Sequence, residues 1–230
     1  MSKKPLYFLP GTMCDVTLWR DVWPLLAESF ELIHVPIPEC ESLEQMAESL
    51  RSQFAEEKVN LVGFSLGGYL ATYFASRYPD CVERMLILAN SPCALPESEL
   101  EQRRKTLDWL KHVAYKGALD SRIRPLLGSS SRSNQELILH IQQMEHSLGL
   151  DQLHPQLAAT SDREDLAVFL NQTRLPIHFV YGEQDILVNR AWFEQLANPG
   201  ISVRNCGDFG HMLPLEAPGV VARQICTIFE

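Results

Sequence analysis

The chain has 230 residues, 46% of them apolar and 21% charged, which suits one sizeable domain with a full core and excludes wholesale disorder. Its formal net charge of −9 argues against nucleic acid or an anionic membrane surface as partner, since neither is drawn to a broadly acidic protein. The opening "MSKKPLYFLPG" meets Pro10 and Gly11 before its apolar run reaches the length of a secretory signal or a membrane span.

Apolar runs predict strands at 5–9, 31–35, 59–64, 84–89, 176–182 and 201–205. Each is short and apolar nearly throughout, as expected of strands covered by helices on both faces. Helical patterns alternate with them at 17–29, 42–57, 66–79, 188–197 and 216–230. In the second, Ser42 precedes Gln45 at capping-box spacing. The third ends where Tyr78-Pro79 forbids continuation. Such alternation predicts an α/β domain on a mostly parallel sheet. Residues 92–174 interrupt it with helical patterns at 97–117 and 134–149, joined by the polar bridge "GSSSRSN" and containing no strand. They are expected to form a helical insertion (92–174) in a core made of 1–91 and 175–230. The six cysteines, Cys14, Cys40, Cys81, Cys93, Cys206 and Cys226, form no C-x-x-C pair and read as reduced thiols of a cytoplasmic protein.

Gly63-Phe64-Ser65-Leu66-Gly67 fits G-x-S-x-G. The pattern is short enough to arise by chance, so its context carries the weight: a strand precedes it and a helix follows at once. A strand that turns sharply into a helix forces the residue between them into strained dihedrals and projects its side chain from the carboxyl edge of the sheet. The helix that starts at Leu66 aims free backbone N–H groups at the same spot, where charge would develop on a carbonyl attacked by Ser65. A serine nucleophile needs a base, and an imidazole base needs an orienting carboxylate. Asp185 in "YGEQDILV" follows one predicted strand, and His211 in "CGDFGHMLPLEAP" follows the last. Asp208 is a rival acid, but from within the same loop it would struggle to reach the far ring nitrogen of His211. Asn90 stands after the strand that follows the elbow and is no carboxylate. His34, His112, His140, His146, His154 and His178 lack metal-ligand spacing, and neither a metal nor a cofactor is expected.

A second donor for the oxyanion should come from the loop after the first strand, "FLPGTMCDVTLW", where Thr12 is the first choice and Met13 stands close behind. Cys14 has no helper and reads as a packing residue. In the insertion, Trp109, Leu110, Tyr115, Leu126, Leu127, Ile138, Leu139, Ile141 and Met144 supply enough apolar surface to line an acyl pocket or to pack the insertion onto the sheet. The "RRK" at 103–105 sits among glutamates and reads as a solvated face.

Taken together, these segments resemble the α/β-hydrolase superfamily, and its small esterase-like and lactonase-like members in particular. "LPGTMCDVTLW" looks like the family's oxyanion loop, "VGFSLGG" its nucleophile elbow, "VYGEQDILV" its acid segment, and "GHMLPLEAP" its histidine followed by E-x-P (Glu216-Ala217-Pro218). The resemblance implies an α/β-hydrolase fold with Ser65, Asp185 and His211 as triad, Leu66 with Thr12 or Met13 as oxyanion donors, and 92–174 as a helical cap. Pro10 replaces the histidine usual before Gly11, and the chain lacks the family's first two strands, so six parallel strands are expected. The implied chemistry is hydrolysis of a small or medium acyl ester or thioester through an acyl-serine. Lactone opening, carbon–carbon bond hydrolysis or elimination on the same triad stay open, as does a non-catalytic binding module.

Overall fold

The computed structural model describes residues 3–54, 58–112 and 118–230. Six strands form one parallel sheet: β1 (Lys4–Leu9), β2 (Phe30–His34), β3 (Val59–Phe64), β4 (Val82–Leu88), β5 (Ile177–Tyr181) and β6 (Ile201–Asn205). Their order, β2-β1-β3-β4-β5-β6, makes the chain leave β1 in one direction for β2 and then return past it to β3. Such a reversal opens a crevice at the carboxyl ends of the two strands that flank it. Here Leu9 pairs with Gly63, so the loop after β1 and the turn after β3 emerge side by side.

Period-two alternation sorts the strand residues onto two cores. Leu6, Phe8, Val62, Phe64, Leu86, Leu88 and Val180 face one side, where they pack against α8 (Pro218–Phe229) and the segment around Trp19. Leu9, Leu61, Met85, Ile87, Ile177 and Phe179 face the other, against α1 (Leu43–Gln53) and α2 (Leu66–Arg77). Helix α8 buries Val221, Ala222, Ile225, Ile228 and Phe229, a stripe at helical spacing. Truncating Ile225, which is 0% exposed, to alanine should cost about 2–5 kcal/mol. Edge strand β6 departs from the expectation of cover on both faces, since Val203, Arg204 and Asn205 are exposed.

Ser42 caps α1 by accepting the N–H of Gln45, while the Gln45 side chain accepts from Glu41 rather than from Ser42, a capping box displaced by one residue. Residues 55–57 of the predicted second helix lie outside the described residues. Two predicted helices prove shorter and tighter. Residues 17–29 fold as two 3₁₀ turns, Val16–Trp19 and Trp23–Leu25, because the Asp15 side chain takes the Thr17 N–H and Pro24 has no N–H to give. Residues 188–197 keep only the 3₁₀ stretch Ala191–Gln195, since the Asn189 side chain captures the Trp192 N–H. The terminal pattern at 216–230 forms α8, which Pro218 opens, and a short helix α7 (Leu213–Glu216) precedes it.

Between β4 and β5 lie α3 (Glu97–Leu110), α4 (Asp120–Ile123), α5 (Gln135–Ala159) and α6 (Ala167–Gln172). Helix α5 breaks at Gly149, whose φ of 69° a side chain would tolerate poorly. Residues 150–159 therefore run as a second helix with a direction of their own. Arg103, Arg104 and Lys105 on α3 pair with Glu99, Glu97 and Glu101, the solvated face read from the "RRK" triplet.

Candidate active site

Ser65 sits between β3 and α2 with φ 50° and ψ −115°, a conformation that costs a non-glycine residue about 1–3 kcal/mol. The flanking glycines follow from contact. A Cβ on Gly63 would lie 2.6 Å from the Gly67 carbonyl oxygen, and one on Gly67 would lie 2.4 Å from the carbonyl oxygens of Leu9 and Pro10. The elbow is thus pressed between the first turn of α2 and the end of β1. The Ser65 N–H donates to the Leu88 carbonyl and the Gly67 N–H to that of Pro10, which pins the turn to both neighbouring strand ends.

The structure brings the three expected side chains together. His211 Nε2 lies 2.9 Å from Ser65 Oγ, and His211 Nδ1 lies 2.9 Å from Asp185 Oδ2. Asp185 is 1% exposed and His211 5%, so this relay is shielded from water on all but its serine end. The other carboxylate oxygen of Asp185 accepts the N–H groups of Leu187 (2.8 Å) and Val188 (3.2 Å), which fixes the carboxylate plane. The rival Asp208 turns away and accepts from the Gln184 side chain. Asn90 follows Ala89, a residue at φ 52°, and keeps its buried Oδ1 without a partner. Ser91 next to it accepts the Asn189 N–H, tying this loop to the acid loop. Among the other histidines, His140 meets the Thr17 carbonyl and His178 the Ser202 hydroxyl, while His34 is held below its usual pKa by burial. Among the described residues no group of three His, Cys, Asp or Glu could hold a metal ion.

The loop after β1 is a turn closed by Cys14 N–H to the Gly11 carbonyl. Met13 stands third in it at φ 55°, the left-handed place that glycine usually fills, at a cost of about 1–2 kcal/mol. The two candidate donors in this loop differ. The Met13 N–H is engaged by Gln156 Oε1 at 3.0 Å, out of reach of any ligand, whereas among the described residues no bond occupies the Thr12 N–H. Leu66 begins α2, and among the described residues nothing engages its N–H either. Burial raises the Cys14 thiol far above its ordinary pKa, so it is no thiolate.

The apolar residues singled out in the insertion divide. Leu127, Ile138, Ile141 and Met144 are buried in the same core as Phe8 and Val62, and Leu126 packs against it, so they seat the insertion on the sheet. Trp109 and Leu139 are half exposed, and Tyr115 lies outside the described residues. Leu110 packs with Met13 of the loop after β1 and with Leu153 of α5. Leu148, which joins that cluster, also borders a cavity of about 410 Å³ between α5, α1 and the loop Pro36–Cys40.

Sequence reading missed the role of the bridge around Gly128. The Leu126 carbonyl accepts the His211 N–H at 2.7 Å, Gly128 N–H donates to Glu216 Oε2 at 2.7 Å, and Ser129 N–H donates to Gln184 Oε1 at 2.7 Å. Gly210 passes so close that a Cβ there would stand 2.4 Å from both Leu126 O and Gly128 N. The bridge is a strap across the acid and histidine loops. Its one legible signal was glycine at 128 and at 210.

A profile of the alpha/beta hydrolase fold family matches residues 36–218. A pimeloyl-[acyl-carrier protein] methyl ester esterase of Aeromonas hydrophila is 28% identical over 203 residues, covering 81% of this chain and 79% of that protein. The biotin biosynthesis bifunctional protein BioHC of Teredinibacter turnerae is 30% identical over 103 residues, covering 40% of this chain and only 18% of that longer protein. A thermophilic esterase from Thermogutta terrifontis superposes with a TM-score of 0.84 at 23% identity, covering 98% of this chain and 89% of that one. At that identity the likeness speaks for the fold alone.

Proposed function

The chain belongs to the alpha/beta hydrolase fold family, and from that premise we propose that it is a serine hydrolase cleaving carboxylic esters or thioesters of small or medium acyl groups. The relay Ser65–His211–Asp185, with both bonds at 2.9 Å, is the observation that carries this reading. His211 Nε2 takes the hydroxyl proton as Ser65 Oγ bonds to the acyl carbon, and the carbonyl electron pair moves onto oxygen. The N–H groups of Leu66 and Thr12 receive that oxyanion; Met13 is set aside because its N–H is already engaged. Asp185 holds Nδ1–H and stabilises the imidazolium. Collapse expels the alcohol or thiol, which leaves with the proton from Nε2. Water, deprotonated by the same nitrogen, then releases the acid and restores Ser65. No step calls for a cofactor.

Methyl esterases among the relatives support an alcohol part of minimal size. Residues 92–174 would then act as a cap, with Leu110 and Leu153 packed on Met13 of the loop after β1. A cytoplasmic setting fits six cysteines that are all unpaired. Among the described residues no helix is long and apolar enough to cross a membrane.

Intact-mass analysis after exposure to a fluorophosphonate tests the reading. A single adduct on Ser65 that is absent from Ser65→Ala and His211→Ala is expected, with turnover of a p-nitrophenyl ester down by about 10⁶ in either variant. An unlabelled but folded wild type would overturn it.

A further inference from the structure

We propose that Gln156 is a positioning residue for the oxyanion hole, holding the middle peptide of the Gly11–Cys14 turn so that the loop is correctly set only while the insertion is seated. This role presupposes the acyl-serine chemistry proposed above. Within the turn Cys14 N–H donates to the Gly11 carbonyl and the Cys14 thiol to the Thr12 carbonyl at 3.5 Å, which leaves the N–H of the middle peptide, that of Met13, to find a partner elsewhere. Met13 is 2% exposed and packed among leucines, so water cannot serve. Its partner comes from 143 residues away: Oε1 of Gln156, itself 4% exposed, at 3.0 Å.

The bond opposes a specific alternative. A turn of this shape converts to its commoner form by rotating the middle peptide, which sends the third residue from positive to negative φ. For glycine the two forms are close in energy. For methionine at φ 55° the rotation relieves strain, so side-chain chemistry at position 13 favours the flip and Gln156 resists it. Rotation would set the Thr12 carbonyl against Gln156 Oε1, where the Met13 N–H stood; the Thr12 N–H lies on the preceding peptide and does not turn with it, but the two planes meet at Thr12 Cα, so the backbone shift that goes with the flip displaces that donor. A donor aimed away from the oxyanion contributes little.

The insertion is built to deliver this group. Gly149 has no atom within 4 Å of where its Cβ would be, so its φ of 69°, not crowding, calls for glycine there. The break it makes sets residues 150–159 on their own course, and that segment carries both Leu153 and Gln156 to Met13. Glutamine is required for its carbonyl: the backbone group offers a donor, and an acceptor must meet it.

Two variants separate this role from packing. Gln156→Met keeps length and removes the acceptor, whereas Gln156→Glu keeps an acceptor oxygen. Hydrolysis of p-nitrophenyl acetate, the rate of Ser65 phosphonylation by a fluorophosphonate, and the Met13 amide proton resonance are read for each. Gln156→Met should lower kcat about 10- to 100-fold with KM within about threefold, less than the 10²–10³ for outright loss of a donor. It should slow phosphonylation in proportion and move the Met13 amide proton upfield; Gln156→Glu should restore most of all three. Thermal unfolding checks that each variant folds, and Gln156→Asn, one methylene too short to reach, replaces Gln156→Met if that chain does not. Wild-type kcat in the folded variant, a change confined to KM, or a Gln156→Glu as slow as Gln156→Met would overturn the role. Ser65→Ala assayed alongside keeps the two readings apart. If it still turns over the ester the acyl-serine reading falls, and if it is inactive while Gln156→Met is fully active only the role of Gln156 falls.

Discussion

Replacing Asp185 with asparagine exchanges a single atom in a side chain that is 1% exposed, and the surroundings dictate which way the new amide faces. One carboxylate oxygen accepts the N–H groups of Leu187 and Val188; the other accepts from His211 Nδ1. If the amide kept its oxygen on the two backbone donors, its NH₂ would face Nδ1 and force the imidazole into the opposite tautomer, with Nε2–H donating to Ser65. The reverse orientation would rescue the tautomer but set NH₂ against two buried N–H groups. Leaving each unpaired costs about 1–3 kcal/mol, so the unproductive form is favoured by about 2–6 kcal/mol. At 1.36 kcal/mol per factor of ten, that is about 30-fold to 10⁴-fold. We therefore expect Asp185→Asn to lower kcat for a p-nitrophenyl ester by about 10²–10⁴, in line with the loss typical of this change in serine triads. KM and the unfolding midpoint should change little. A variant within tenfold of wild-type kcat would refute both the orientation argument and the assignment of Asp185.

Asp208→Asn should leave kcat within about twofold, because this carboxylate meets Gln184 and not the imidazole; a drop like that of Asp185→Asn would reverse the choice of acid. Gly67→Ala places a methyl 2.4 Å from the backbone oxygens of Leu9, the last residue of β1, and Pro10, the next one, so the chain should unfold at least 10 °C lower or fail to fold, by circular dichroism, and a wild-type melting curve would contradict the packing of the elbow. Burial raises the Glu216 carboxyl pKa, so the folded state binds that proton more tightly than the unfolded chain. Stability from this group is full below the ordinary carboxyl pKa and is lost as pH rises through the raised value. Glu216→Gln cannot ionise, so its melting temperature relative to wild type should increase between about pH 4 and pH 7; a difference independent of pH would show the carboxyl to be unperturbed.

That Ser65, Asp185 and His211 would meet was legible because each sits at a strand end marked by something other than itself. Ser65 lies between two glycines that contact alone requires, and Asp185 and His211 each follow an apolar run of strand length. The central strands β3, β4 and β5 were legible because a strand buried on both faces has few polar residues to blur its ends, whereas edge strand β6 carries exposed Arg204 and Asn205. Local competition hid the rest. Asp15, Pro24 and Asn189 turn two helical patterns into 3₁₀ segments through side-chain bonds and a missing N–H that hydrophobic periodicity does not register. The fate of the insertion's apolar residues was open as well, since Ile138 and Ile141 under the sheet look no different in sequence from pocket-lining residues. Contacts made across the whole chain, such as Met13 with Gln156 or Gly128 with Glu216, have no local signature at all.

The strap around Gly128 bears on how far this scaffold can be recombined. The helices between β4 and β5 look like a natural unit to exchange between related chains. Here the exchangeable unit is smaller than the interval between β4 and β5. Residues 126–129 share hydrogen bonds with the histidine loop, the acid loop and Glu216, and Gly128 crosses Gly210 at a distance that no side chain fits. A graft that carried a foreign bridge would arrive with three open bonds under its own nucleophile's base. Grafting that keeps 126–129 with their partners and 150–159 with Gln156, and replaces only α3 and the part of α5 before Gly149, leaves those bonds intact and does not dismantle the relay.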